Sequence, residues 1–261
     1  MEQNISVIIP LHKFEEYMKE DLDNALKSIK SQSEYVGKLI IVLPELIYDS
    51  VIEFVGDKPG VNVEFLKNEG KTDFCSQINL GVQSCGSEYF SILEFDDKYA
   101  DIFFKNAHEY IVNYPEVSAF LPLIAQLNPT GQFISFMNDA AWSKGVNKED
   151  GKLGMIHHDL LKGFPNFLTC GGVFKTEDFI EVGMFKTKIE LTFMYEYLLR
   201  ATYNDKKFMV LPKLGYVHRV GRKDSLFENY KLTLSEKDIM KWYDTAKKEY
   251  FFTTDRDIRV A

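Results

Sequence analysis

The sequence predicts an α/β fold, with a mostly parallel central sheet flanked by helices. Four short apolar segments, ISVIIP, KLIIVL, VNVEFL and YFSILEF, begin at residues 5, 38, 61 and 89. The segments between them have the length and apolar spacing of helices. Strands that are apolar along their whole length and alternate with helices are typical of a parallel sheet covered on both faces. Ligands of such proteins bind beyond the carboxyl ends of the strands.

The first half, residues 1–97, is predicted to contain three helices between these strands. EEYMKEDLDNALKSIKSQ, which follows Pro10, spaces four apolar residues at helical intervals. The second helix is expected around residues 47–56 and the third at about 72–85. Each strand and the helix after it form one βα unit.

The second half, residues 98–226, is predicted to be a smaller mixed region. DIFFKNAHEYIVNYP is a predicted helix, and SAFLPLIAQLNPTGQFISFMN is predicted as two strands joined by the NPTG turn. Residues 139–165 are expected to form an irregular surface loop over the ligand edge. LTCGGVFKTEDF, a helix near 190–203 and the strand KFMVLPKLGYVHR follow.

Residues 227–261 are predicted to form a C-terminal helical extension that packs on the same domain. Ser235 can cap the helix SEKDIMKWYDTAKKEYF, which carries one apolar face. No internal repeat or linker separates this extension, so we expect one compact domain with an appendage.

Composition restricts the possible partners and compartment. The 261 residues include 31 Lys and Arg against 39 Asp and Glu, a formal charge of −8. This balance disfavours broad adhesion to nucleic acid or anionic lipid, because both need a dense basic face. There is no signal-like start and no run of ~18 to 20 apolar residues. These features predict a soluble cytoplasmic protein. Its three cysteines show no CxxC spacing, and we expect their thiols to be reduced and buried.

Three carboxylates follow the fourth predicted strand in SILEFDD. Glu94, Asp96 and Asp97 therefore lie at the edge where a ligand is expected. Carboxylate oxygens on neighbouring residues suit Mg²⁺ or Mn²⁺, and such an ion would neutralise a diphosphate leaving group. The spacing alone is equally typical of a solvated turn or a helix N-cap.

The order of the surrounding motifs resembles the family 2 glycosyltransferases of the GT-A fold, from about residue 5 to residue 226. The motifs are ISVIIPLHK, KLIIV, KNEGKTDFCSQINLGVQSCGSEYFSILEFDD, GGVFKTEDFIEVGMF, YEYLLR and YVHR. This resemblance implies a nucleotide-sugar donor, usually UDP-linked, with Mn²⁺ or Mg²⁺ on its diphosphate. It implies transfer of the sugar to a hydroxyl acceptor, and we favour a glycan over a protein, lipid or nucleic acid.

The resemblance also assigns roles to individual residues. The implied metal ligands are Asp96, Asp97 and His218. The implied donor-binding residues are Pro10, Leu11, His12, Glu45, Asn68, Gly70, Asn79, Glu94, Asp96, Gly171, Gly172, Arg219 and Ser225. The two asparagines are equally compatible with turns or helix caps, and the glycine pair with a simple change of chain direction.

Two departures from the family pattern leave the chemistry open. The second strand ends in VLPEL instead of VDDGS, so Glu45 is the only carboxylate near the expected nucleobase position. The Glu-Asp pair that supplies the base of inverting members is replaced by Phe193 and Met194. Glu190 or Glu196 can substitute if either reaches the acceptor hydroxyl. If neither does, the enzyme is retaining, or the protein binds a nucleotide-sugar or glycan without turnover.

Other classes fit less well. A nucleotidyltransferase normally has a loop rich in glycine and arginine after its first strand, and PLHKFEE has neither residue. A dinucleotide oxidoreductase requires GxGxxG after a strand, which is absent. Trp142, in the predicted loop, is suited either to stacking on a sugar ring or to anchoring the loop.

Overall fold

The computed structural model describes residues 5–144, 153–222, 225, 230 and 232–256. The strands are β1 Ile5–Pro10, β2 Val36–Leu43, β3 Asn62–Lys67, β4 Tyr89–Ile92, β5 Lys98–Tyr99, β6 Ala119–Leu127, β7 Phe133–Met137, β8 Met155–Ile156, β9 Val173–Lys175 and β10 Phe208–Arg219. The helices are α1 Lys19–Lys30, α2 Tyr48–Val55, α3 Phe74–Cys85, α4 Phe103–Asn113, α5 His158–Gly163, α6 Thr176–Glu181, α7 Phe193–Tyr203 and α8 Glu236–Glu249.

In the described part of the chain, ten strands form one mixed sheet in the order β3-β2-β1-β4-β9-β6-β10-β5, with β7 on β6 and β8 on β10. Strands β1 to β4 pair in parallel. β9 runs antiparallel to both of its neighbours, β4 and β6, and so joins the two halves of the chain. The predicted fold class, a mostly parallel sheet with a mixed second region, is confirmed.

The alternation of side chains along β1 builds a core on each face of the sheet. Val7 and Ile9 join the apolar cluster that includes α1, whereas Ile8 joins the cluster that includes α3. A Cβ on Gly81 of α3 would lie 2.7 Å from Ile8 Cγ2. This glycine therefore allows α3 to pack close against the sheet.

The predicted segments agree with the observed elements over most of the chain, with two differences near the ligand edge. β4 ends at Ile92 instead of Phe95, because the chain turns there and the Asp97 N–H donates to the Glu94 carbonyl, 3.1 Å away. The segment 139–165 is more regular than predicted, since it contains a 3-10 helix at Asp139–Trp142, β8 and α5. Its residues 145–152 lie outside the described residues.

The C-terminal helix has the predicted cap. The Ser235 hydroxyl accepts a hydrogen bond from the Asp238 N–H at 3.3 Å. The Thr192 hydroxyl, at the start of α7, donates to the Trp242 carbonyl of α8 at 2.9 Å.

All three cysteines are free thiols and all three are buried, so their predicted burial is confirmed. Among the described residues, no helix combines the length and apolar character needed to cross a membrane.

Two glycines before β9 are fixed by packing. Gly171 has a φ of +66°, and a Cβ there would lie 2.2 Å from Tyr216 Cδ2 of β10. A Cβ on Gly172 would lie 2.7 Å from Leu121 Cδ2 of β6. The pair therefore allows the chain to enter β9 between β4 and β6, which explains both residues without a ligand.

We predict that Gly171→Ala destabilises the protein through both strain and overlap with Tyr216. The expected loss in the free energy of unfolding is about 2 to 5 kcal/mol, measured by urea denaturation. Gly86→Ala is the matched control, because Gly86 has a φ of +63° but nothing within 4 Å of its Cβ position. It should cost only about 1 kcal/mol for the left-handed backbone. Equal losses in the two variants would contradict the packing explanation.

Candidate functional site

The candidate site lies where the turn after β4 meets the last residues of β10. β10 pairs antiparallel with β5, and Tyr216 and Val217 lie opposite Tyr99 and Lys98. This register brings the end of β10 to the carboxylates that precede β5. Residues 121 positions apart in the sequence, Asp97 and His218, are thereby placed in direct contact.

Asp97 is the most deeply buried carboxylate of the site, with a side chain that is 0% exposed. Its Oδ2 accepts a hydrogen bond from His218 Nδ1 at 2.8 Å. Its Oδ1 accepts one from the backbone N–H of Arg219, also at 2.8 Å. Both oxygens therefore hold the end of β10 in place.

Glu94 faces the same space. Its Oε1 accepts a hydrogen bond from the Cys170 thiol at 3.3 Å, and its backbone N–H donates to the Tyr216 hydroxyl at 3.2 Å. One ligand atom from each of Glu94, Asp97 and His218 lies within 4.8 Å of the other two. A single ion can therefore contact all three residues.

Asp96 has one engaged and one free oxygen. Its Oδ2 lies 2.5 Å from Arg222 Nε, although the angle does not make this ion pair a hydrogen bond. Its Oδ1 is buried and has no hydrogen-bond partner among the residues that the structure describes. The Arg222 guanidinium also lies over the Phe95 ring, 4.7 Å from its centroid. A buried carboxylate oxygen without a partner is costly, and it is typical of a site that expects a ligand.

The crowded negative charges change the proton affinities of the site. Burial, followed by the charges of Asp97 and Glu94, raises the pKa of Asp96 to about 8 against the opposing charge of Arg222. Burial and the Asp97 charge also raise the pKa of Glu94. Burial alone would lower the pKa of His218, but the charge and hydrogen bond of Asp97 outweigh it and raise that pKa to about 9. The cluster therefore holds its protons to a higher pH than isolated carboxyl and imidazole groups would.

These donors fit a divalent cation. Carboxylate oxygens with one imidazole suit Mn²⁺ or Mg²⁺, and Asp96 Oδ1 is an available buried ligand atom. Asp96, Asp97 and His218 were the metal ligands expected from the sequence. The structure brings two of them, Asp97 and His218, together with Glu94, whereas Asp96 is paired with Arg222 and is not part of that group. Whether the protein binds a metal stays a prediction.

The loop after β1 lies near this cluster. The Leu11 N–H donates to the Val42 carbonyl at 2.8 Å, which holds the residue after Pro10 at the carboxyl edge of β2. Partial burial, then the charges of Lys13 and Arg222, lowers the pKa of His12. His12 therefore lies within electrostatic reach of Arg222, at the expected donor edge.

Three other predicted donor contacts are engaged in local structure. Glu45 is exposed and its Oε2 lies 2.7 Å from Lys67 Nζ. Asn68 Oδ1 accepts from the Gly70 N–H at 2.9 Å, and its Nδ2 donates to a backbone carbonyl. Asn79 binds both backbone groups of Phe185, at 2.7 and 3.1 Å. Asn68 thus has the turn role left open by the sequence, whereas Asn79, within α3, binds a distant backbone segment and is neither a turn residue nor a cap. The roles of both in donor binding stay predictions.

The segment after β10 contributes Arg219 and Ser225. The Arg219 side chain forms an ion pair with Asp21 of α1. The Ser225 N–H donates to the Arg222 carbonyl at 3.1 Å, so the backbone of Ser225 contacts the backbone of the residue that pairs with Asp96. Sequence reasoning missed Arg222, Cys170 and Tyr216 as site residues. Arg222 had a signal, since it lies between two assigned residues.

The two candidate bases have opposite environments. Glu196 is fully buried in α7, where its Oε1 lies 2.9 Å from both Arg200 Nε and Lys186 Nζ. Arg200 Nη2 donates to its Oε2 at 2.9 Å. Glu190 is exposed and accepts a hydrogen bond from the Tyr230 hydroxyl at 3.2 Å. Glu190 is therefore open to solvent, whereas Glu196 is enclosed by the core and two cations.

Trp142 serves as an anchor with one open side. Its Nε1 donates a hydrogen bond to the Val210 carbonyl at 3.1 Å. One face of the indole ring packs against Gly154, where an added Cβ would lie 2.5 Å from Trp142 Cζ2. The residue is nevertheless 37% exposed. The anchoring role left open by the sequence is therefore observed.

No protein-family model matches the chain, and no curated protein matches it in sequence. Solved structures of S. aureus TarS, a glycosyltransferase, do match the fold. TarS 1-349 in complex with UDP-GlcNAc has a TM-score of 0.67 and 14% identity, over 98% of this chain and 68% of that chain. The complex with UDP gives 0.61 and 13%, over 95% and 80%. The longer TarS structure gives 0.58 and 14%, over 95% and 48%. The chain thus shares the fold of these TarS structures, and its place among the family 2 glycosyltransferases stays a prediction.

We predict that the metal-free protein loses stability as the pH rises from about 6.5 to 9. A folded-state pKa of about 9 for His218 means that its stabilising charge is fully present below about 6.5 and is lost as the pH passes 9. The raised pKa of Asp96, about 8, acts in the same direction, because ionisation is harder in the folded state. The melting temperature in EDTA should therefore fall over this range.

Asp96→Asn should make this pH dependence shallower, because one of the two titrating groups is removed. A melting temperature that is constant or rises with pH in the original chain would contradict the described electrostatics.

Proposed function

We propose that the protein is a metal-dependent glycosyltransferase. It moves a sugar from a nucleoside-diphosphate sugar, whose nucleotide is UDP, to a hydroxyl acceptor. The observation that carries this proposal is the cluster of Glu94, Asp96, Asp97 and His218 at the carboxyl edge of the parallel strands. The same fold in TarS binds UDP-GlcNAc and UDP. A divalent cation at this cluster would be held by Glu94, Asp97 and His218, and Asp96 is the further ligand expected from the sequence.

The bound cation would supply positive charge to a diphosphate leaving group. Residues of the chain would orient the cation and complement the negative charge of the diphosphate. Asp97 fixes the His218 ring through Nδ1, which leaves Nε2 as the ring nitrogen for a ligand. Arg219 and Arg222 place two further positive charges near the same edge, where a diphosphate would lie. The loop at His12 completes the nucleoside side.

We assign the general base to Glu190, and with it an inverting reaction. A base must come within about 2.6 to 3.2 Å of the acceptor hydroxyl, so it must be accessible. Glu190 is exposed, whereas two cations and the core enclose Glu196. Tyr230 donates to the carboxylate of Glu190 and limits its rotation.

A second candidate function is donor binding without turnover. It is favoured by Met194, which is half-buried at the position where the resemblance expects the base. In this case the protein would bind a nucleotide-sugar or a glycan on a glycosyltransferase fold. A glycan acceptor and a cytoplasmic location are parts of the leading proposal that rest on the composition of the sequence.

We predict that Mn²⁺ and a UDP-sugar together stabilise the protein thermally and that the effect is lost in Asp97→Asn. The amide keeps the shape of the side chain but removes the charge that the cation requires. The measurement is thermal unfolding with UDP-, GDP- and dTDP-sugars, with and without Mn²⁺. Lys162→Gln, an exposed charge change on α5, is the control and should respond like the original chain. No response to any donor in the presence of Mn²⁺ would refute the proposal.

The two glutamates provide a matched test of the base. Glu190→Gln should lower sugar transfer about 100-fold or more without loss of stability, because general-base catalysis contributes about 10² to 10⁴. Glu196→Gln should instead lower the free energy of unfolding by about 3 to 5 kcal/mol, because it leaves the buried Arg200 and Lys186 charges uncompensated. Urea denaturation and a transfer assay separate the two effects.

If Glu190→Gln transfers sugar as fast as the original chain, Glu190 is not the base. If the original chain binds a UDP-sugar with Mn²⁺ but transfers nothing to water or to added glycans, the binding function replaces the catalytic one.

A further inference from the structure

Arg222 pairs with Asp96, the expected metal ligand that is not part of the group of Glu94, Asp97 and His218. Its Nε lies 2.5 Å from Asp96 Oδ2, and its side chain is only 17% exposed. In the described part of the chain, the other oxygen of Asp96 has no hydrogen-bond partner. Arg222 is therefore the counter-ion of this carboxylate.

The Nε of Arg222 is less well satisfied than that of the fully buried Arg200. Arg200 donates to both oxygens of Glu196 and to the carbonyls of Val182 and Met184. The Nε of Arg222 makes no hydrogen bond of acceptable geometry, and its further contact is with the face of the Phe95 ring. An ion pair without directional hydrogen bonds can be exchanged for another cation at little cost in geometry.

The position of Arg222 also relates it to the nucleotide side of the site. Its charge reaches His12, in the loop after β1, as well as Asp96. A guanidinium that leaves Asp96 therefore has an anionic diphosphate as a partner at the same edge, and two parallel N–H groups suit phosphate oxygens.

Two cations cannot share Asp96 without repulsion. A divalent ion at Asp96 and a guanidinium in contact with the same carboxylate lie close enough for strong like-charge repulsion in a partly buried site. The ion and Arg222 must therefore compete, unless Arg222 moves to another anion.

We propose that Arg222 is a built-in competitor of the divalent cation for Asp96, and that a nucleoside diphosphate relieves the competition by drawing the guanidinium away. Metal and diphosphate then bind cooperatively through this one side chain. This inference rests on the proposed function, because it takes the metal site as given. It adds that the cation alone binds weakly and that the diphosphate strengthens its binding.

The test measures Mn²⁺ binding by titration calorimetry and by the loss of the free Mn²⁺ spin-resonance signal, at one fixed pH. The proteins are the original chain, Arg222→Met, Arg222→Gln and Arg222→Lys, each with and without UDP. The separately measured association of Mn²⁺ with UDP is subtracted. Lys162→Gln is the control, since it removes one positive charge from an exposed position on α5, outside the candidate site.

In the absence of UDP, Arg222→Met and Arg222→Gln should bind Mn²⁺ more tightly than the original chain, by on the order of tenfold, a typical coupling between linked sites. UDP should tighten Mn²⁺ binding to the original chain but have a smaller effect in these two variants, because coupling through Arg222 is lost. Arg222→Lys keeps the charge and should remain close to the original chain. Two neutral variants guard against a folding defect in either one.

Equal Mn²⁺ affinity in the original chain and in both neutral variants would overturn the inference, and so would an equal gain in Lys162→Gln. Both results leave the proposed function intact, because the donor still binds. If no variant binds Mn²⁺ with or without UDP, the inference is overturned together with the metal part of the function. UDP-sugar binding without metal then shows whether the donor part survives.

Discussion

The site depends on the two hydrogen bonds that Asp97 accepts from the end of β10. Asp97 lies in the turn after β4, in the first half of the chain, whereas His218 and the Arg219 N–H belong to the second half. These bonds place positive groups over a turn that otherwise contains three carboxylates. Because the charges are partly withdrawn from water, their interactions are stronger than on an open surface. The candidate site is therefore built at the place where β10 meets the turn that leads into β5, its antiparallel partner in the sheet.

The rest of the sheet serves to make this contact possible. β9 enters antiparallel between β4 and β6, and Gly171 allows its approach because the Tyr216 ring occupies the space of a side chain. Tyr216 in turn accepts the Glu94 N–H through its hydroxyl. One aromatic residue of β10 thus contacts both the glycine that positions β9 and the turn that carries the carboxylates. Packing and site geometry are coupled through a few residues.

Local sequence patterns predicted much of this arrangement. The strands that are apolar along their whole length, the helix at 72–85 and the Ser235 cap depend on neighbouring residues, and the structure has them. The carboxylate turn after β4 was predictable for the same reason. The partners of each polar side chain were not, because they depend on contacts between distant segments. Asn79 is an example, since its amide binds the backbone of Phe185, 106 residues away.

The ion pairs of the structure show why residue type alone does not identify function. Glu196 and Asp96 are both buried acids paired with an arginine. Glu196 is satisfied on both oxygens by Arg200 and Lys186, so it can take no further partner without a loss of stability. Among the described residues, one oxygen of Asp96 and the Nε of its arginine have no hydrogen-bond partner. In the proposed function the unsatisfied pair is the one that exchanges its cation, and this difference would distinguish a binding site from a structural network.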